Sequence, residues 1–233
     1  YWRGSAYDRF DGSQWHRTLG HGPRVDTRGD YYVLSQDPPR GRPSTQGLRR
    51  ISVYLQPLYP KVIFIPQQTA LVTVPAPEPL RVMRQKLRWG PGREVRYTDP
   101  GGTGIHYQVL VPGNLASRRT FTPFGTPITE KDEDLEPYLQ LPEVSGRLAQ
   151  LARSFALEHP AHDDRARAVE RWFRTDFGYT VTSRRDVPEG VQPVEAFLFD
   201  WKEGNCEYFS TAMVLVLRAS GIPARNVTGF IGG

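Results

Sequence analysis

The sequence predicts an α+β chain: a β-rich, sandwich-like domain over residues 1–130, a linker over 131–142 and a helical domain over 143–233. Two observations predict it. In the first 130 residues the apolar positions fall in short, β-branched runs separated by Gly and Pro, whereas from Glu143 onward they recur at helical spacing. The stretch TEKDEDLEPYLQLP, residues 129–142, is acidic and then bracketed by prolines, and the period changes across it.

The candidate strands are Arg50–Gln56, Val62–Ile65, Thr69–Val74, Leu80–Leu87, Glu94–Tyr97 and Ile105–Val111. Pro57, Pro60, Pro66, Pro75, Pro77 and Pro79 stand between or at the ends of these runs, where a missing N–H harms a sheet least. Residues 19–47, rich in Gly, Pro and Arg, read as an irregular excursion.

In the second domain Val144, Leu148, Leu151 and Phe155 share one helical face, and Pro160 ends that helix near His159. A second helix is expected over 163–176, with Asp163 and Asp164 capping its start and complementing its dipole. A short strand over 179–182, a polar loop over 183–192 and a helical segment over 194–199 follow.

The segment after Gly204 is the most informative. Gly204 permits a tight turn, Asn205 is a good N-cap, and residues 207–220 are nearly unbroken helix formers stopped by Gly221 and Pro223. Cys206 therefore sits in the first helical turn, where unpaired backbone N–H groups and the positive end of the dipole favour a thiolate and an oxyanion formed beside it. The plainer reading is that a lone Cys on an apolar helix is small hydrophobic filler.

Composition narrows the function classes. Net charge is +5, but the basic residues are scattered, without the block that marks a nucleic-acid arm, so no nucleic-acid partner is expected. One cysteine excludes an internal disulfide, a Cys-rich zinc site and a CxxC pair, and no metal or cofactor is expected. No apolar run is long enough to span a bilayer. The chain opens on Tyr1 and is therefore expected to be an excised segment of a longer parent.

The run GNCEYFSTAMVLVLRASGIPARNVTGFIGG, with the upstream ARAVERWFRTDFGYT and PVEAFLFDWKEG, resembles the Cys-containing signature of bacterial transglutaminase-like proteins, which share a papain-like core. The opening YWRGSAYDRFDGSQW is similar to the segment that follows the transmembrane helices in the inner-membrane subgroup of that family. The resemblance implies a periplasmic location, tethered to the inner membrane in the parent. It also implies that residues 143–233 are the helical first half of the core, with Cys206 as nucleophile of a Cys, His, Asp series.

The family's His and Asp follow the strand after the Cys helix, here residues 224–230, so they are expected beyond Gly233. His16, His21, His106, His159 and His162 all precede the cysteine and read as structural or surface residues. The implied chemistry is a thioester formed at Cys206 with a protein or peptide amide, including peptidoglycan-linked peptides, resolved by an amine or by water; residues 1–233 alone are expected to be inactive. Arg218 and Arg225 read as hydrogen-bond or ion-pair formers at the core edge, Trp201 and Asp200 as residues just before the turn of which one is a candidate to border the acyl groove, with aromatic packing the plainer role for Trp201, and Gly229, Gly232 and Gly233 as strand-end and turn positions. Two other classes remain open: a noncatalytic scaffold that keeps the fold, and a carbohydrate-binding first domain.

Overall fold

The structure is a computed structural model that describes residues 1–20, 22–34, 43–66, 69–75, 86–99, 101–113, 135–182, 187 and 190–231. In chain order the strands are β1 (Trp2–Tyr7), β2 (Arg9–Phe10), β3 (Trp15–His16), β4 (Thr27–Arg28), β5 (Tyr31–Val33), β6 (Leu48–Leu55), β7 (Ile65–Pro66), β8 (Leu71–Thr73), β9 (Arg88–Trp89), β10 (Val95–Arg96), β11 (Ile105–Pro112), β12 (Gly178–Tyr179), β13 (Glu203–Gly204) and β14 (Asn226–Phe230). The helices are α1 (Gly146–Glu158), α2 (His162–Asp176), α3 (Pro193–Ala196) and α4 (Cys206–Ala219). The chain is α+β, with its strands concentrated before the helices. It divides into two compact units, Tyr1–Ala6 with Leu19–Thr129 and Val227–Gly233, and Tyr7–Thr18 with Glu130–Asn226.

The first unit is built on an antiparallel five-stranded sheet of order β4-β5-β8-β11-β6. Its longest ladder pairs β11 with β6 from Ile105↔Leu55 to Pro112↔Leu48. Alternation puts Ile105, Tyr107 and Val109 inward with Val72, Tyr32 and Leu34, and the buried Tyr107 hydroxyl is satisfied by donating to the Phe64 carbonyl at 2.6 Å. A three-stranded sheet, β14-β1-β7, lies in the same unit. Gly229 is obligatory there, because a Cβ at that position would stand 1.9 Å from the Trp2 carbonyl oxygen.

Two strand expectations change in this unit. Val62 makes only an isolated bridge and pairing begins at Ile65, while the excursion over 19–47 contains β4 and β5, joined at Gly29 with φ +62. These strands are too short for a period-2 signal to show. Of the expected strand over 80–87, residues 80–85 lie outside the described set, and Leu87 is fully buried.

The second unit packs α1, α2 and α4 around Leu148, Val169, Phe173, Phe197, Leu215 and Val216. The Ser145 side chain caps α1 by accepting from Leu148 N–H, and α1 closes at His159 before Pro160. The acidic pair at the start of α2 sits inside the first turn, not before it: the cap is Ala161, with no side-chain bond. Asp163 and Asp164 therefore complement the dipole without capping.

Two buried guanidiniums tie loops to α4. Arg218 donates to the carbonyls of Asp8, Gln140 and Ala224, each at 2.7 Å, and lies over the Trp15 ring. Arg165 donates to the carbonyls of His159, Pro160 and Ser220, the last being the C-cap of α4. Three donors on a planar fork suit backbone oxygens that the helix ends leave unpaired.

Candidate active site

Cys206 is placed by a sequence of local constraints that begins at α3. That helix runs into a π turn over Phe197–Trp201, which ends at Lys202 in the left-handed conformation (φ 51, ψ 27), with the Lys202 N–H donating to the Phe197 carbonyl. A non-glycine residue in that region and a π turn are both costly features that packing must impose. Next come Glu203 and Gly204 in β13, paired in parallel with β12 as Gly178↔Glu203 and Tyr179↔Gly204. The Gly178 N–H donates to the Lys202 carbonyl and the Thr180 N–H to the Gly204 carbonyl.

Gly204 works differently from the sequence expectation. The left-handed turn is at Lys202, and Gly204 is a close-packing position: a Cβ there would stand 3.0 Å from the Phe197 ring and 3.1 Å from Tyr208 Cβ, so those neighbours would have to give by a few tenths of an ångström. The sequence signals the right residue for the wrong reason, because a turn glycine and a close-packing glycine look alike.

Asn205 is the N-cap of α4, as predicted. Its side-chain oxygen accepts from the N–H groups of Glu207, at 3.1 Å, and Tyr208, at 3.4 Å. The Asn205 carbonyl accepts from Phe209 N–H. Of the amides in the first turn, the one left without an acceptor among the described residues is that of Cys206 itself. The Cys206 side chain is exposed. An exposed sulfur, an amide on the same residue without an acceptor among the described residues and the N-terminal end of a 14-residue helix thus coincide.

The other end of α4 is immobilised. Ala212, Leu215 and Val216 are fully buried, so the helix is sealed on several faces. Phe209, one turn from Cys206, packs among Phe173, Phe177 and Phe197 at centroid distances of 5.2–6.1 Å, and the exposed Tyr179 ring lies 6.2 Å away. Trp201 packs edge-on against Tyr208, as its aromatic character suggests. Asp200 instead faces outward, 3.6 Å from Arg147.

No histidine hydrogen-bonds Cys206 among the described residues. His16 lies 2.6 Å from Asp11 Oδ2 on the β2–β3 hairpin. The neighbouring Trp15 donates through its indole N–H to Thr211 of α4, so strand alternation turns His16 to the opposite face. Asp11 is held well below the usual carboxylate range, first by the Gln14 backbone N–H and then by His16 and Ser13. His159 closes α1, His162 begins α2, and His106 stacks on Tyr54 at 4.1 Å; His21 lies outside the described residues. Of the arginines, Arg218 is a hydrogen-bond donor as expected, its pKa pulled down to about 10 by burial, and Arg225 lies over the Tyr138 ring. Gly232 and Gly233 lie outside the described residues.

Residues 149–233 match the family model of the transglutaminase-like superfamily. The chain is 37% identical over 98 residues, 41% of its length, to the uncharacterized protein YebA of Bacillus subtilis, and 41% identical over 68 residues, 29% of its length, to a protein-glutamine gamma-glutamyltransferase of Pseudomonas aeruginosa. These matches span only 13% and 10% of the two relatives. The crystal structure of the periplasmic domain of TgpA from P. aeruginosa superposes with a TM-score of 0.67 at 23% identity, covering 100% of this chain and 69% of that one, and its ethylmercury-bound form does so with the same TM-score and identity over 70% of that chain. The fold is therefore that of the TgpA periplasmic domain.

Proposed function

We propose, from the premise that residues 149–233 carry a transglutaminase-like domain, that the parent protein is a cysteine acyltransferase or hydrolase with Cys206 as its nucleophile. The observation that carries this is the exposed thiol on the first residue of α4, beside its own uncommitted N–H.

The Cys206 thiolate attacks the carbonyl carbon of a carboxamide. The C–N bond breaks, ammonia or an amine departs with the proton it needs, and a thioester is left on the sulfur. An incoming amine then gives a new amide, or water gives the acid. During attack the developing oxyanion accepts from the Cys206 amide, a donor already fixed in place.

The substrate class we propose is protein or peptide amide, in line with the glutamine-directed name of one relative. We assign the general base and its orienting carboxylate to residues outside 1–233, and the activity to a periplasmic protein tethered to the inner membrane, with residues 1–130 as its β-rich domain and 143–233 as part of its catalytic core.

The test uses the full-length parent protein, wild type and Cys206→Ser. Wild type should incorporate hydroxylamine or a primary amine into a glutamine-containing protein, or release ammonia from it, and should be alkylated at Cys206 by iodoacetamide. Cys206→Ser should do neither. Turnover unchanged in the variant would remove Cys206 from the chemistry, and a wild type inert toward amides would favour a noncatalytic scaffold.

A further inference from the structure

The formal charge of the chain conceals a large asymmetry. The unit formed by Tyr1–Ala6, 19–129 and 227–233 carries 16 Lys and Arg against 6 Asp and Glu, a net +10, while the unit formed by 7–18 and 130–226 carries 14 against 19, a net −5. A field of one sign on one unit attracts ligands of the other.

Within the basic unit three arginines stand in a row. Arg24 bridges directly to Arg88, and Arg88 pairs directly with Arg96 on β10, both antiparallel. Residues directly opposite in antiparallel strands share one face, so three guanidiniums project on the same side while Val25, Leu87 and Tyr97 fill the other. Like charges placed directly opposite oppose sheet formation.

One carboxylate offsets them in part. Buried Glu94 pairs with Arg96 through one oxygen and accepts from Ala6 N–H through the other at 2.9 Å. Arg88 has no such partner: its Nε is sealed from solvent without an acceptor, and its guanidinium makes no hydrogen bond or ion pair among the described residues. Packing holds this side chain in place without neutralising it. Buried polar groups left in that state are rare.

We infer that Arg24, Arg88 and Arg96 form a binding site for a phosphoryl group. A carboxylate satisfies one guanidinium as a two-oxygen fork. Adjacent cationic heads on neighbouring strands call for an anion with three peripheral oxygens and up to two charges, which a phosphate ester supplies. The site lies in the β-rich unit and does not depend on the reaction proposed for Cys206.

The experiment is thermal unfolding of the chain in inorganic phosphate against sodium chloride of matched ionic strength, together with sedimentation on phosphatidylglycerol and phosphatidylcholine vesicles. Wild type should be stabilised by phosphate beyond chloride. Arg24→Gln, at an exposed position, should weaken the apparent affinity about tenfold, yet in chloride alone it should be at least as stable as wild type, because it removes a like-charge contact. Arg88→Gln should abolish the phosphate increment.

Retention on phosphatidylglycerol but not phosphatidylcholine, lost in Arg24→Gln, identifies the phosphoryl group as a lipid headgroup. A phosphate increment without vesicle retention identifies a soluble phosphate ester. The proposal falls if phosphate and chloride act alike and neither vesicle retains the protein, or if Arg24→Gln leaves the phosphate affinity unchanged.

Discussion

Replacing Arg218 should unfold the second unit more readily than any change to the exposed surface of α4. The residue is 3% exposed, and its guanidinium donates to three carbonyls at 2.7 Å, on Asp8, Gln140 and Ala224. Removing the fork leaves those oxygens without that donor, at about 1–3 kcal/mol for each that no other group or water reaches. The neighbours relax in part, so the expected loss in Arg218→Met is roughly 3–5 kcal/mol, a large share of the 5–15 kcal/mol typical of a domain. With a slope of about 2 kcal/mol/M in urea, the midpoint should fall by about 2 M. Methionine is the informative replacement because it keeps most of the apolar stem while removing the guanidinium, whose Cζ lies 5.4 Å from the Trp15 ring centroid. Arg218→Lys should fall between the two, since one ammonium cannot reach three divergent carbonyls. Equilibrium urea unfolding, followed by tryptophan fluorescence, reads the effect. A methionine variant within about 1 kcal/mol of wild type would show that stem packing, not the three hydrogen bonds, accounts for the burial of Arg218.

Two further outcomes follow from the start of α4 and from the hairpin. Asn205→Ala should cost about 1 kcal/mol and speed hydrogen exchange at the amides of Glu207 and Tyr208, whereas Asn205→Asp should keep the cap but slow alkylation of Cys206 several-fold by setting a carboxylate beside the sulfur. Because the folded state depresses the Asp11 pKa, the stabilisation it brings is present above the unfolded value near ~3.9 and is lost as pH falls below it. The Tm difference between wild type and Asp11→Asn should therefore be present at pH 6 and shrink below about pH 4; a gap independent of pH would assign the effect to the turn alone.

Much of the helical unit was legible because its determinants are local. Pro160 stops α1, Asn205 starts α4, Gly221 ends it, and the apolar positions between them keep one period. The π turn and the left-handed Lys202 were not, since no residue in FLFDWK demands either; they arise where the phenyl ring of Phe197 packs against Gly204 and Tyr208. Nor does any local pattern indicate that Trp15 reaches Thr211, 196 positions away, or that Arg218 serves three loops. In the β-rich unit the eight-residue ladder of β6 and β11 showed its alternation, whereas two-residue strands such as β9 and β10 hold no readable period, and their arginine row emerges only from register.

The two ends of α4 also separate stability from chemistry. Arg218 and Cys206 are twelve positions apart, about 18 Å along the axis, and the residues between them are largely buried. A helix held on several faces moves as one body, so weakening its far end should lower the unfolding midpoint while leaving the alkylation rate of the native thiol unchanged at low urea. Changing Asn205 to Asp should do the reverse, altering the rate with little effect on the midpoint. If instead the alkylation rate of Arg218→Met already differs from wild type well below its midpoint, α4 transmits strain along its length, and the exposed thiol owes its geometry to the whole helix and not to the Asn205 cap and the β12–β13 pair that precede it.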